Sequence, residues 1–530
     1  MATPTKVLIV AFSKWFQSHS ANDVSYASAQ REWRELQAAI QVARGRSPLL
    51  LAVAPVNSPQ YRLARRILKK RRARGVEAVL SNASVQIVES SEVWESHCAV
   101  LDVDVHSAHE LNEQIATTSH EWLFPAASND SRDDVARVIA HLLAHAQSDT
   151  TIYFAGDHEL ATPRGVGPHT LLSYNVIGRG AIFPRAAVMA VGGFHEDAND
   201  IEHDLVLRLC EAGYDFVGLP AEHSLANSRP ADPSTTATAL RRRGITGSVS
   251  PSNGATSWSV MRRPTVDIVV PTRDRLELLQ PCIAAIEANC GDFAVTITIV
   301  DNGSRDSAIV EYFAASPHRV VAHPGPFNYA AVVNHGVAAG RNDVVVVLNN
   351  DTIVGPGWLE SLVPLATLHD VGVVGATLVS PSGEVQHAGM GAVPYPVELP
   401  YGRIPQLTSS DVVVLSARQA ESIRNVIAVT GACHVVERAK WNLVDGMDES
   451  LHVTANDVDL CLRLSQRGYY TVLHPAVRIE HVGKASRGTT ESEDDHVRFL
   501  QRWGYLRDLV DPCVPYRRAT LVSADDLMSQ

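Results

Sequence analysis

Cysteines are few and scattered in this sequence. The seven in 530 residues (Cys98, Cys210, Cys282, Cys290, Cys433, Cys461 and Cys513) form no CxxC pair and no ladder of close spacings, which excludes a disulfide scaffold and gives no zinc site. A reducing compartment fits that pattern. Net positive charge is also missing. The formal charge of −12 excludes a general nucleic-acid coat, because non-specific phosphate binding needs a basic surface. No stretch approaches the roughly 20 apolar residues needed to cross a bilayer. The amino-terminal MATPTKVLIVAFSKW is broken by polar residues before its apolar run reaches signal-peptide length. These absences predict a cytoplasmic protein with no nucleic-acid partner.

What is present is globular: 45% hydrophobic and 20% charged residues, with length enough for two large domains. Between Leu219 and Arg263 the chain turns rich in Ser, Thr, Pro, Asn and Arg and loses clear periodicity, as a linker does. The predicted division is a first domain over 1–228, a linker over 229–263, a second domain over 264–510 and a tail over 511–530. After the linker, VDIVVPT, the apolar RLELLQPCIAAIEAN and VTITIVDNGS read as a strand, a helix and a parallel strand. YAAVVNHGVAAG and DVVVVLNNDT extend the same α/β order. Ligands of an open α/β sheet bind beyond the carboxyl ends of its strands, so Asp301 and Asp351 should face one crevice. The two halves also resemble each other. EHDLVLRLCEAGYDFVGLP and DVDLCLRLSQRGYYTVLHP keep a constant offset of 255 residues from Glu202/Asp457 through Asp204/Asp459, Arg208/Arg463 and Pro220/Pro475, which implies an internal duplication.

Three groups of residues could carry chemistry. In LNNDT, Leu348 to Thr352, a carboxylate among amides at a strand end suits a hard divalent cation that bridges a diphosphate. It also suits a plain turn cap, and on the motif alone the two readings stand even. In TANDVDLCLRL, Asp457 and Asp459 open an apolar-periodic helix, where either could be a cap or a general base. His481 follows a strand; a lone histidine there is more often structural than a metal ligand.

Taken together, VDIVVPTRDR, IVDNGS, PGPFNYAAVVNHGVAAG, LNNDT, GWLESLV, VQHAGM, the VTGAC segment, ANDVDLCLRL and HVGKASRG resemble the ordered motifs of glycosyltransferase family 2, a group of inverting enzymes of the GT-A fold. The resemblance spans nearly all of 266–488 and is nearest to bacterial members that build O-antigen and other surface polysaccharides, many of them rhamnosyltransferase-like. It implies two tandem GT-A domains, Rossmann-like with mostly parallel sheets, the first divergent. It implies a nucleotide-sugar donor, a dTDP- or UDP-sugar, and a glycan or lipid-linked glycan acceptor. Asp301, with Pro271, Thr272 and Arg273, would contact the nucleoside of the donor, Asn328 and Asn334 would lie near its phosphates, and Asn350 would also bind the donor. Asp351 corresponds to the last carboxylate of the family's DxD motif, here begun by Asn349, and would hold Mg2+ or Mn2+ together with His481. Asp457 corresponds to the catalytic base, with Asn456 and Asp459 on the acceptor side.

By the same resemblance, SYNVIGRGAIFPRAAVMAVGGF and EHDLVLRL form the later part of a first copy, in which Asp130, Asp157 and Glu159 are candidate metal ligands and Glu202 stands opposite Asp457. That copy is expected to keep the fold without the donor site. A bifunctional transferase with Glu202 as a second base, and a non-catalytic glycan-binding scaffold, are the alternatives. A nucleotidyltransferase is disfavoured, since no Gly-rich phosphate loop with an adjacent Lys or Arg follows the first strand. The basic stretch YRLARRILKKRRARG at 61–75 is either a solvated helix or a peripheral contact with the anionic inner face of the plasma membrane, where each cation contributes about 1 kcal/mol. On the membrane reading, replacing Arg65, Arg66, Lys69 and Lys70 with Gln abolishes flotation with anionic liposomes. Unchanged flotation assigns the stretch to a solvated helix.

Overall fold

The computed structural model describes residues 97–503 apart from short internal segments, the longest being 410–421. The basic stretch at 61–75, and Asp157 and Glu159, lie outside the described residues. In the first half, β1 (Cys98–Asp102), α1 (Ala108–Thr117), β2 (Trp122–Ala126), α2 (Arg132–His145), β3 (Thr151–Gly156), α3 (Pro168–Ser173), β4 (Ala181–Pro184), α4 (Ile201–Glu211) and β5 (Asp215–Pro220) build a sheet of order β1-β2-β4-β3-β5. The β1/β2 and β3/β5 pairs are parallel, whereas β4 runs antiparallel between β2 and β3.

The segment 229–260 is not the extended linker that its composition suggests. Asp232 caps the helix α5 (Pro233–Arg242) by accepting the Thr235 N–H at 2.8 Å, and Pro233 fits the first helical turn, where no N–H is required. A hairpin of Val249–Ser252 with Ala255–Trp258 follows, and Ala239, Leu240, Trp258 and Val260 join the main core. Polar residues misled the periodicity here because Thr235 and Thr236 are buried on the packed face of α5.

The second half runs β6 (Val266–Thr272), α6 (Leu276–Ala288), β7 (Val295–Asp301), α7 (Ser307–Ala315), β8 (Arg319–Ala322), α8 (Tyr329–Ala339), β9 (Val344–Leu348), β10 (Thr352–Ile353), α9 (Trp358–Ala366), β11 (Val371–Val379), β12 (Val385–His387), β13 (Arg424–Val426), β14 (Cys433–Glu437), α10 (Asn456–Gln466), β15 (Tyr470–His481) and α11 (Glu493–Trp503). Its sheet has the order β8-β7-β6-β9-β14-β11-β15-β10, with β12 on β11 and β13 on β15. β6, β7, β8 and β9 are mutually parallel. All five residues of β9 are buried, as expected of a strand covered on both faces, which also explains its unbroken VVVVL.

The duplication is visible in the packing. Strands β9-β14-β11-β15 repeat β2-β4-β3-β5 in order and in direction. In the first half, Arg208 Nε donates to Asp204 at 2.7 Å while its two terminal nitrogens donate to the carbonyls of Val191 and Gly193, each at 2.6 Å. In the second, Arg463 Nε donates to Asp459 at 2.6 Å and its terminal nitrogens to the carbonyls of Val444 and Gly446. Arg242 and Arg502 close the two clamps on the other carboxylate oxygen, both at 2.8 Å. The Asn112 amide exchanges two hydrogen bonds with the Phe194 backbone, and Asn334 does the same with Met447. Gly193 and Gly446, at φ of 72° and 68°, leave no room for a Cβ beside those amides.

The halves are packed together. Asn425 Oδ1 accepts the N–H groups of His169 and Thr170 at 3.0 and 3.1 Å, and Arg243 pairs with Asp370 at 2.6 Å. Burial works against the Asp370 charge, yet the His169 ring and the Arg243 guanidinium hold its carboxyl below the usual carboxylate range. Among the described residues no helix is long and apolar enough to cross a membrane. Removing one partner of a buried pair strands the other charge, at a cost of about 3–5 kcal/mol. Asp204→Ala and Asp459→Ala should each lower the unfolding free energy in urea by that amount. A loss below about 1 kcal/mol at either would mean the clamps do not hold the fold.

Candidate active site

The crevice lies at the carboxyl ends of β6, β7 and β9. Register places Thr272 opposite Asp301 across β6/β7. The half-buried Asp301 carboxylate accepts the Ser304 N–H at 2.8 Å, and Asn350 Nδ2 donates to Thr272 Oγ1 at 2.8 Å, so Thr272, Asp301 and Asn350 form one wall. Pro271 pairs with Val300 in the same ladder, and Arg273 is exposed beyond the strand end. Asp274 and Arg275, which follow, take positive φ of 52° and 61°, a conformation that costs a non-glycine residue roughly 1–2 kcal/mol. The turn is held by Asp274 Oδ1, which accepts the N–H groups of Arg305 and Asp306 at 2.7 and 3.0 Å.

Asp351 sits one residue before β10, and the antiparallel β10/β15 pairing sets Thr352 against His481. The result is a close approach of Asp351 Oδ1 and His481 Nε2 at 3.3 Å, with the Asp351 side chain 1% exposed. Asp351 Oδ1 has no hydrogen-bond partner. His481 Nδ1 lies 2.8 Å from Gln386 Oε1, an atom that can only accept, so Nδ1 carries a proton. In the neutral ring Nε2 then turns a lone pair towards the buried Asp351 carboxylate, and two such acceptors side by side fit a divalent metal. Mg2+ held by two protein ligands keeps waters and substrate phosphate oxygens in its shell, so this pair would suffice for it.

Asp457 lies in the first turn of α10. Its Oδ2 accepts the Gly431 N–H at 2.8 Å and its Oδ1 the Val458 N–H at 2.8 Å, with no ion pair among the described residues. Ala455 before it has φ of 63°, and the 452–454 segment is held by the buried Asp495 carboxylate, which accepts the N–H groups of His452, Val453 and Thr454. Two buried histidines flank this region. Burial drives the His387 pKa down to about 3 and lowers that of His434, against the pull of the Asp457 charge, so both rings stay neutral. His387 Nε2 accepts the N–H groups of Gly389 and Thr430, bracing the turn that supplies the Gly431 donor.

Sequence reasoning missed Tyr329, although it stands inside the quoted PFNYAAVV motif. Its hydroxyl lies 3.0 Å from Asn349 Oδ1 and 2.9 Å from the Gly431 carbonyl, joining the strand end that carries Asp351 to the turn that orients Asp457. Nothing in the residue pattern distinguishes such a hydroxyl from a core tyrosine.

Several expected residues have other duties. Asp459, expected on the acceptor side, is fully buried and held by Arg463, Arg502 and Trp503 Nε1 at 2.8 Å, so it is a strut of the fold. Asn456 is buried, with its amide on the Leu451 carbonyl at 3.3 Å. Asn334 is engaged by Met447 and Glu449, and its twin Asn112 makes the same backbone contact in the first half. Asn328 caps α8 on the Ala331 N–H and donates to the Glu449 carbonyl.

In the first half Glu202 occupies the place of Asp457, but Arg229 grips it at 3.2 Å together with Asp200 at 2.9 Å. A carboxylate paired in this way is a poor base. Asp130, a candidate metal ligand, accepts the Ala127 N–H at 2.7 Å, as a turn cap does. The offset of 222 residues that relates β2 to β9 sets Asn129 opposite Asp351 in the sequence. A cavity of about 710 Å³ lined by Asp200, Glu202, Arg229 and Asp232 lies at the head of α4.

Residues 267–413 match the sequence profile of Glycosyl transferase family 2, and residues 344–520 that of Glycosyl transferase family group 2. The second half of the chain is thus similar to glycosyl transferase family 2. Among its relatives, an uncharacterized protein of Sinorhizobium fredii, y4gI, is 27% identical over 88% of this chain and 57% of its own length. The O-antigen biosynthesis protein RfbC of Myxococcus xanthus is 30% identical over 60% of this chain and 27% of that protein. The N-acetylglucosaminyl-diphospho-decaprenol L-rhamnosyltransferase of Mycobacterium tuberculosis is 28% identical over 37% of this chain and 68% of that enzyme. The chain thus spans just over half of the first relative and about a quarter of the second. If Tyr329 joins the two working groups, Tyr329→Phe should leave the thermal unfolding midpoint within a few degrees of wild type while lowering kcat about tenfold, the effect of one lost hydrogen bond. An unchanged kcat would show the two groups to be held independently.

Proposed function

We propose that the second half of this chain is an inverting glycosyltransferase that moves a sugar from a nucleotide-diphosphate donor to a glycan or lipid-linked glycan in the assembly of a surface polysaccharide. The observation that carries this reading is the unpartnered, buried Asp351 Oδ1 facing His481 Nε2, linked through Asn349, Tyr329 and Gly431 to a carboxylate, Asp457, that no cation pairs among the described residues. The family match of the second half and the names of the Myxococcus and Mycobacterium relatives support it.

Thr272, Asp301 and Asn350 form the wall that would receive the nucleoside, whether of a dTDP- or a UDP-sugar. Asp351 and His481 would hold Mg2+ or Mn2+, which when bound neutralises charge on the departing diphosphate. Asp457 accepts the proton of the acceptor hydroxyl as that oxygen bonds to the anomeric carbon and the bond to the diphosphate oxygen breaks. The two N–H groups on Asp457 aim its carboxylate without neutralising it. One displacement inverts the anomeric configuration. The first half acts in this scheme as a non-catalytic copy, because its Glu202 is tied to Arg229 and its sequence lacks a carboxylate opposite Asp351.

A panel of nucleotide sugars with Mn2+, read by mass spectrometry, tests the assignment. Asp457→Asn should lower transfer by about 10²–10⁴-fold with donor binding kept, and Asp351→Ala should abolish metal-dependent nucleotide binding. Glu202→Gln should change transfer less than twofold. Loss of a separate linkage in Glu202→Gln would establish two active domains, and wild type inert towards every donor would favour a glycan-binding scaffold.

A further inference from the structure

Gln386, on β12, grips His481 at two points. Its Oε1 lies 2.8 Å from the ring Nδ1, and its Nε2 donates to the backbone carbonyl of the same residue at 3.0 Å. Those contacts fix different things. The carbonyl contact sets where the side chain of Gln386 lies. The ring contact sets the tautomer, because an amide oxygen can only accept and so selects the imidazole with its proton on Nδ1. In the neutral ring this leaves Nε2 as a lone pair 3.3 Å from the unpartnered Asp351 Oδ1. Without Gln386 the ring could carry its proton on Nε2 and donate it to Asp351, closing the pair as an ordinary hydrogen bond and removing both ligands at once.

β12 reaches this position through the sheet. It pairs antiparallel with β11, with Leu378 opposite His387, while Leu378 and Val379 pair on their other side with Ile479 and Glu480 of β15. Gln386 is thus carried to His481 by a strand whose next residue, His387, braces the Thr430 turn beside Asp457.

We propose that Gln386 is a positioning residue that holds His481 in the Nδ1-protonated tautomer and so keeps the Asp351/His481 pair open for a divalent cation. This inference rests on the metal reading of that pair, and its test separates the two. In full-length protein labelled with 15N-histidine, wild type should show His481 protonated at Nδ1 in the absence of any metal. Gln386→Leu should shift it towards the Nε2-protonated form, and Gln386→Glu, whose carboxylate also accepts from Nδ1, should restore the wild-type tautomer. Mn2+ affinity, measured by electron paramagnetic resonance with UDP present, should fall about 10–100-fold in Gln386→Leu and recover in Gln386→Glu. His481→Ala and Asp351→Ala should lose Mn2+ by themselves. Wild-type tautomer and Mn2+ affinity in Gln386→Leu would overturn the inference while leaving the metal site standing. The tautomer shift without any Mn2+ binding in wild type would instead overturn the metal reading.

Discussion

A buried carboxylate held by two arginines, one of which also caps two backbone carbonyls, is the contact on which the rest of the second half hangs. Asp459 and Arg463 bind one face of α10 to the Val444 and Gly446 carbonyls, and Arg502 brings α11 onto the same oxygen pair. The 446–447 turn is in turn tied to α8 by Asn334, and α8 carries Tyr329. The start of α10 is thereby fixed relative to the strand ends, and Asp457, two residues from the clamp, cannot drift. Charges so placed are costly to desolvate, and charge-assisted hydrogen bonds on both Asp459 carboxylate oxygens offset that cost.

The same clamp in the first half fixes α4 just as firmly, yet the groups around its head differ. Glu202 meets Arg229, whereas among the described residues Asp457 meets two backbone N–H groups and no cation. The difference between the two carboxylates is therefore made outside the duplicated helix, by what approaches each. An arginine leaves a neighbouring carboxylate fully ionised and weakly basic; amide donors orient it at a smaller cost in basicity.

Near the strand ends, three strands divide the work. β10 and β15 bring Asp351 and His481 together by backbone pairing, and β12 supplies Gln386 to the histidine and His387 to the turn beside Asp457. The backbone outliers at Asp274, Arg275 and Ala455 cluster around the same crevice, each braced by a carboxylate that gathers nearby N–H groups. Strain is tolerated there because surrounding hydrogen bonds over-determine the conformation.

The sequence by itself determined the α/β order of the second half, the carboxylates at its strand ends and the existence of a duplication, since alternation of buried strands with helices and a constant spacing of 255 residues need no third dimension. Its residue pattern left Asp457 and Asp459 alike as cap or base, and the family resemblance put both at the site. Only the tertiary structure decided that Asp459 is a buried strut while Asp457 is half-buried, because one helical turn aims the two carboxylates at different surroundings. The twin roles of Asn112 and Asn334, the linking hydroxyl of Tyr329 and the folded state of 229–260 were likewise settled by contacts between distant residues. Side-chain direction and long-range partners are properties of the packed chain, and no local spacing encodes them.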